Sequence, residues 1–220
     1  MAAPAARQNF DDPTEPLSTW FRLHARSATI VAAAIVVLGG GLWLYQYATV
    51  QQSLKADEQL IQPERSLGAG NIPLAQNDLK QLIQRYKGTA AATQASLLLA
   101  QTYYDQGKQA DGIAVLEKVP RGGASAPFAP AIESLIGVGY SDQGKYHDAA
   151  THYLSASTLT PYAGVRSQYK ANAARALTYA GDTAQAVSLW TGLANDETSP
   201  LAAEAHLRLG ELTAKPAGKH

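Results

Sequence analysis

The stretch AIESLIGVGYSDQGKYHDAATHYLSASTLTP, Ala131–Pro161, contains the pattern that decides the fold. Its first half places small and apolar residues on one face of a helix: Ile136, Gly137 and Tyr140. This helix is predicted to end at Gly144, because glycine readily adopts the left-handed conformation found at helix C-termini. A second amphipathic helix is predicted from Tyr146 to the breaker Pro161. The stretch therefore predicts a hairpin of two helices.

The hairpin pattern recurs along the chain with a period of 37 residues. A glycine stands at the same point of each copy: Gly70, Gly107, Gly144 and Gly181. Five positions later comes a small residue: Ala75, Gly112, Ala149 and Ala186. Nine positions after the glycine comes a large one: Leu79, Leu116, Tyr153 and Trp190. A fixed period of this size is typical of a solenoid of stacked hairpins, in which neighbouring units bury each other's apolar faces.

These residues resemble the tetratricopeptide repeat. The third copy matches its signature at Gly137, Tyr140, Gly144, Tyr146, Ala149, Tyr153, Ala156 and Pro161. The resemblance implies an all-α fold, a TPR-like α-solenoid of about four helical hairpins. The stretch SPLAAEAHLRLGELT, from Ser199, has apolar residues on one face and predicts a C-terminal capping helix.

Two departures from that signature lead to further expectations. Pro63 stands where the first helix of the first copy should carry a small residue, so that helix is expected to be bent or replaced. The tetratricopeptide unit has 34 residues. The extra residues of each copy are therefore expected in the turns between repeats, such as VPRGGASAPFAP at 119–130.

A long apolar segment precedes the repeats, and no charged residue occurs between Arg26 and Lys55. Its centre, 28–47, is long enough to cross a bilayer as a helix. A cleaved signal peptide is disfavoured, because no clear small-x-small site follows the segment. Arg22 and Arg26 before the segment predict a cytoplasmic N-terminus. The far side is the periplasm in a bacterium and a lumen in a eukaryote.

The predicted organisation has four parts. Residues 1–26 form a flexible cytoplasmic head, 27–48 a transmembrane helix, 49–215 a periplasmic TPR-like domain and 216–220 a C-terminal tail. The predicted location is the bacterial inner membrane.

Composition argues against several classes of function. The 18 Lys and Arg residues are matched by 18 Asp and Glu residues, so no basic excess indicates nucleic-acid binding. The chain has no cysteine, and no spacing of histidines or carboxylates predicts a metal site. No nucleophile motif is present either. We therefore predict a protein that is not an enzyme and that has no catalytic, cofactor or metal site.

A solenoid of this type offers a groove lined by the first helix of each hairpin, a surface suited to peptides and partner helices. The positions predicted to line it are Gln94, Gln101, Tyr104, Asp105, Ser134, Val138, Asp142, Gln168, Arg175 and Tyr179. The expected partners are other proteins, either subunits of an inner-membrane complex or unfolded polypeptides.

The whole layout resembles the ancillary SecYEG translocon subunits of the YfgM-like family. That resemblance implies a membrane-anchored interaction module that passes emerging polypeptides to periplasmic chaperones. One alternative is a structural accessory subunit that stabilises a large energy-transducing complex, respiratory or photosynthetic. A further alternative is a periplasmic scaffold for cell-envelope assembly, which the sequence does not separate from the other two.

Overall fold

A computed structural model describes residues 25–196 and 198–214. The predicted head, up to residue 24, and the predicted tail at 216–220 lie outside the described residues. The described chain forms helices only: α1 (Ala25–Gly68), α2 (Ile72–Arg85), α3 (Ala90–Asp105), α4 (Gln109–Glu117), a 3₁₀ helix (Gly123–Phe128), α5 (Ala129–Asp142), α6 (Tyr146–Leu159), α7 (Ala163–Ala180), α8 (Thr183–Ala194) and α9 (Ala202–Thr213).

The chain divides into two compact units, 1–51 and 52–220. In the first unit, the described part of α1 leaves its large apolar side chains exposed, including Ile35, Val36, Leu38 and Trp43. By length and composition, Ala33–Gly68 could cross a membrane. The boundaries 27–48 of the transmembrane helix stay a prediction.

The second unit is the predicted all-α TPR-like solenoid. Its hairpins are the C-terminal part of α1 with α2, then α3 with α4, α5 with α6, and α7 with α8, and α9 packs on α8. The recurring glycines all have a positive φ, between 72° and 78°. In each turn the N–H of the next residue donates to the carbonyl five positions before it, as from Lys108 to Tyr103 and from Lys145 to Tyr140, both 2.9 Å. The repeated tetrapeptide Asp-Gln-Gly-Lys is thus a helix cap of the Schellman type.

The small and large positions of the repeat are all in the core. Ala75, Ala149, Ala186, Leu79, Leu116 and Trp190 are each fully buried, while Gly112 and Tyr153 are nearly so. The core is divided into three clusters along the solenoid. One joins α1, α2 and α3, a second joins α3, α4 and α5, and the third joins α5 to α9. No helix buries its apolar face within its own hairpin alone, which is why neighbouring repeats are required.

The sequence leaves two alternatives for the first helix of the first hairpin, bent or replaced. It is not replaced, because α1 runs through Pro63 and buries that side chain. The expected position of the extra residues needs correction. In the described chain a long turn occurs where the nine-residue α4 is followed by the 3₁₀ helix. The turns after α2 and α6 are short, and α7 takes up the length with 18 residues. Periodicity alone does not distinguish a longer helix from a longer turn.

Tyr104 joins the second hairpin to the third. Its ring lies against Gly112, where an added Cβ would be 2.3 Å from the ring. It also lies against Gly139 of α5, where a Cβ would be 2.5 Å from the hydroxyl. The hydroxyl donates to the Leu135 carbonyl at 3.1 Å. Gly112, which departs from the usual alanine of the signature, therefore makes room for Tyr104.

We expect Gly112→Ala to destabilise the solenoid by about 1–3 kcal/mol, because the new methyl group overlaps the Tyr104 ring. In an open helical position the same change typically stabilises by about 0.5–1 kcal/mol. Urea denaturation followed by circular dichroism measures the difference. Gly192→Ala in α8 is the matched control, because nothing lies within 4 Å of its added Cβ. Equal behaviour of the two variants, or a penalty that persists in a Tyr104→Ala background, would contradict the contact.

Glu133 forms the centre of an ion-pair cluster in the third repeat. Its carboxylate accepts a 2.7 Å hydrogen bond from Arg121 Nε and lies 2.8 Å from His152 Nδ1. Arg121 also donates to the carbonyls of Leu116 and Val119 and so fixes the long turn after α4. Burial acts to raise the pKa of Glu133, but the hydrogen bonds from His152 and Arg121 outweigh it and hold that pKa below its usual range.

We expect Glu133→Gln to lower the free energy of unfolding by about 1–3 kcal/mol at neutral pH. A carboxylate whose pKa is lowered by folding stabilises the protein above its unfolded pKa, and the stabilisation disappears as pH falls through the folded pKa. The difference from wild type should therefore be complete above about pH 5 and should shrink below about pH 4. Urea denaturation across this range measures it. Glu211→Gln, at an exposed pair with Arg208, serves as control. A difference in the free energy of unfolding between wild type and Glu133→Gln that does not depend on pH would contradict the stabilising role of the Glu133 carboxylate.

Candidate functional site

The positions predicted to line the groove lie on α3, α5 and α7, the first helices of three successive hairpins. Six are exposed: Gln94, Gln101, Asp105, Asp142, Gln168 and Tyr179. Four are half-buried: Tyr104, Ser134, Val138 and Arg175. Their use by a partner stays a prediction.

The structure brings three of these positions together in one depression. The depression has a volume of about 330 Å³ and includes Asp142, Arg175 and Tyr179. Its other lining residues are Ser141, Tyr146, Tyr153, Asn172 and Ala176. It lies where the turn between α5 and α6 faces α7, so residues of two successive repeats form it.

Two tyrosine rings define one side of this depression. Tyr146 and Tyr179 have ring centroids 5.4 Å apart and planes tilted by 33°. Tyr179 is 73% exposed, and Tyr146 is half-buried. Tyr153 lies beneath, and burial raises the pKa of its hydroxyl, which stays neutral at physiological pH. Accessible tyrosine rings offer apolar area together with polar hydroxyls, as is common at protein-binding sites.

Arg175 is already bound within the protein. It makes hydrogen bonds to both Glu204 oxygens, of 2.8 and 2.7 Å from Nη2, and it donates to Asn172 at 2.7 Å. Its guanidinium also lies 5.8 Å from the ring centre of Trp190. Arg175 therefore connects α7 to the capping helix α9, and its charge is neutralised. Asp142 makes no ion pair with the described residues, so the depression presents a net acidic charge.

Tyr104 differs from the other predicted positions, because its hydroxyl and ring are occupied by Leu135, Gly112 and Gly139. Burial, more than the nearby charge of Asp142, raises the pKa of its hydroxyl. Tyr104 therefore packs between two repeats and has a structural role.

The repeat pattern identifies neither Tyr146 as a lining residue of this depression nor Glu204 as the partner of Arg175. Tyr146 belongs to the repeat signature, although only part of it is buried and it pairs with Tyr179. Glu204 lies on the capping helix, outside the 37-residue period, so no repeat alignment pairs it with Arg175. One feature of the sequence does indicate that Tyr146 lies near Asp142: it comes directly after the turn, at the same end of the hairpin.

The fold and this surface define a class: an α-solenoid of tetratricopeptide type, which typically serves as a non-enzymatic scaffold for protein–protein interactions. The family model of the tetratricopeptide repeat-like domain matches residues 18–187, and the chain belongs to this family. No curated protein matches the chain. Among solved structures, the chain is similar to nearly identical TPR-like repeats of a candidate kinesin light chain from Podosopora anserina. The TM-score is 0.56 at 16% identity, over 72% of this chain and 85% of that one. This likeness shows the fold.

We expect Arg175→Gln to destabilise the end of the solenoid by about 1–2 kcal/mol, because Glu204 loses a bidentate partner that is only partly exposed. A double-mutant cycle with Glu204→Gln, measured by urea denaturation, should give a clear coupling energy. The exposed pair Arg208 and Glu211, taken through the same cycle, should give less than about 0.5 kcal/mol. Coupling energies of the same size for both pairs would argue against a specific link between α7 and α9.

Proposed function

We propose that this protein is a membrane-anchored interaction module whose solenoid holds other polypeptides in the periplasm of a bacterium. In this proposal α1 contains the transmembrane anchor at about 27–48, and the domain from about residue 49 binds partner proteins. The most specific form of the proposal is an ancillary subunit of the protein translocon, which receives emerging chains and passes them to periplasmic chaperones.

The observation that carries the proposal is the contact of half-buried Tyr146 on α6 with exposed Tyr179 on α7, beside Asp142. Rings at this exposure gain free energy when a partner's apolar side chain covers them. The shallow depression of about 330 Å³ is too small to enclose a long segment. It suits weak contacts with single apolar or cationic side chains, which is what a protein that handles diverse unfolded chains needs.

The apolar part of α1 supports the anchor. Its described large side chains, such as Val36, Leu38 and Leu42, are at least 60% exposed. A stretch with this much exposed apolar surface requires a cover, and a bilayer provides one. The region matched by the family model, 18–187, includes the apolar segment as well as repeats.

The binding surface can be tested with a matched pair of exposed tyrosines. Tyr179→Ala should weaken the binding of reduced, unfolded model polypeptides by about three- to tenfold, because an aromatic contact residue is lost. Tyr162→Ala is the control, since Tyr162 is 71% exposed and lies outside the depression. Fluorescence anisotropy with the full chain in non-ionic detergent gives both affinities. Equal affinities for the two variants would contradict the claim that the depression binds unfolded polypeptides.

The topology can be tested by thiol labelling, because the chain has no native cysteine. A cysteine at Ala184 should react with a membrane-impermeant maleimide in cells whose outer membrane is permeabilised. A cysteine at Thr14 should react only after the inner membrane is opened. The opposite labelling pattern, or release of the protein from membranes by carbonate, would overturn the anchor or its orientation.

The partner complex can be identified by affinity purification of the chain, tagged at the C-terminus and expressed at its native level. Translocon subunits and a foldase recovered in fixed ratio would support the ancillary role. Recovery of one large cofactor-bearing complex would favour the alternative, a structural accessory subunit of an energy-transducing assembly.

A further inference from the structure

A second surface lies away from the inner depression, between α2, α3, α4 and the 3₁₀ helix. It is an open trough of about 560 Å³. Its apolar lining consists of Ile83, Ala92, Leu99, Val115, Val119 and Pro120. Pockets of this size and composition are typical of ligand sites.

The trough exists because the second repeat is irregular. α4 has nine residues, whereas α2 and α6, in the same position of their hairpins, have 14 each. The chain leaves α4 early and turns away at Val119. The apolar side chains that stay accessible in the trough are those of Ile83, Val115 and Pro120, whereas Ala92 and Leu99 of α3 are buried. Ser125 of the 3₁₀ helix closes one end through its hydroxyl, which lies 2.7 Å from Thr93 Oγ1. The long turn, which fits within the same 37-residue period because α4 is short, thereby forms one wall of this recess.

The charge around the trough has a single sign. Lys80, Lys87 and Lys118 line it, and no aspartate or glutamate does. All three lysines are exposed, and none makes an ion pair with any residue that the structure describes. Lys80 and Lys87 come from α2 and the turn after it, and Lys118 follows α4, so the cations stand on both sides of the apolar floor. In a chain of zero net charge, this is a local positive site.

We propose that this trough is a docking site for an acidic segment of a partner protein, in which one or two large apolar side chains lie between carboxylates. The apolar floor takes the large side chains, and the lysines on both walls pair with the carboxylates. The trough is open along its length, which suits an extended or helical segment and leaves a small amphiphile exposed to water. This surface is distinct from the depression at Tyr179 and does not depend on the function proposed for it.

The test uses the full chain in non-ionic detergent and a fluorescent decapeptide with Leu and Phe flanked by Asp and Glu. Two matched peptides replace either the acids by Lys or the apolar residues by Ser. Of the three peptides, we expect only the acidic apolar one to bind. Its affinity should fall at least tenfold when the NaCl concentration rises from about 0.05 M to about 0.5 M. The triple variant K80E, K87E, K118E should lose binding by a similar factor, and Val115→Ser should weaken it independently of salt.

The control is the triple variant K108E, K145E, K170E, which makes the same change of charge at exposed lysines outside the trough. It should bind the peptide nearly as wild type does, within about threefold after allowance for the change of net charge. Equal losses in both triple variants, or no binding of the acidic apolar peptide, would overturn the proposal. So would competition by octanoate alone, binding of phosphatidylglycerol vesicles that depends on these lysines, or self-association of the chain through this surface.

Discussion

The close approach of the two helices in each hairpin is the constraint on which the solenoid depends. In the second and third hairpins a glycine, Gly112 or Gly137, lies where the ring of a tyrosine from the other helix must fit. In the third repeat a Cβ added at Gly137 would be 2.9 Å from the ring of Tyr153. Interiors packed this tightly have no free volume for an added methyl group. The small positions therefore determine how closely helices approach, and the large positions determine which repeats contact each other.

The same constraint explains how much of the structure can be predicted from sequence. Left-handed glycines and buried small and large positions recur every 37 residues, so the number of hairpins and the order of helices follow from the period. Features outside the period do not follow from it. The ion pair of Arg175 with Glu204 joins a repeat to the capping helix, and the contact of Tyr104 with Gly139 joins two repeats. Both contacts depend on how the helices cross each other, which a repeat pattern does not specify.

The predicted groove positions illustrate the difference between a face and a site. The repeat pattern assigns Tyr104, Arg175 and Tyr179 to the first helices of their hairpins, and they lie on α3 and α7. Tyr104 makes contacts within the solenoid, Arg175 is held by Glu204, and Tyr179 remains 73% exposed. A sequence pattern identifies the face on which a side chain lies, whereas a partner must use the groups that the fold leaves free. Whether a side chain stays free depends on contacts with residues about 30 positions away in the chain, as for Tyr104 with Leu135 and Arg175 with Glu204.

The irregular second repeat combines a short helix, α4, with a long turn inside the same 37-residue period. A short helix covers less of α3 than a longer one would, yet the α3 side chains that line the trough are at most 5% exposed. The chain compensates through Arg121, which fixes the following turn to Glu133 and to two carbonyls, and through the contact between Ser125 and Thr93. These contacts hold the long turn in place beside the trough. A partner that binds there need not spend free energy on ordering the turn, which favours recognition of a short segment.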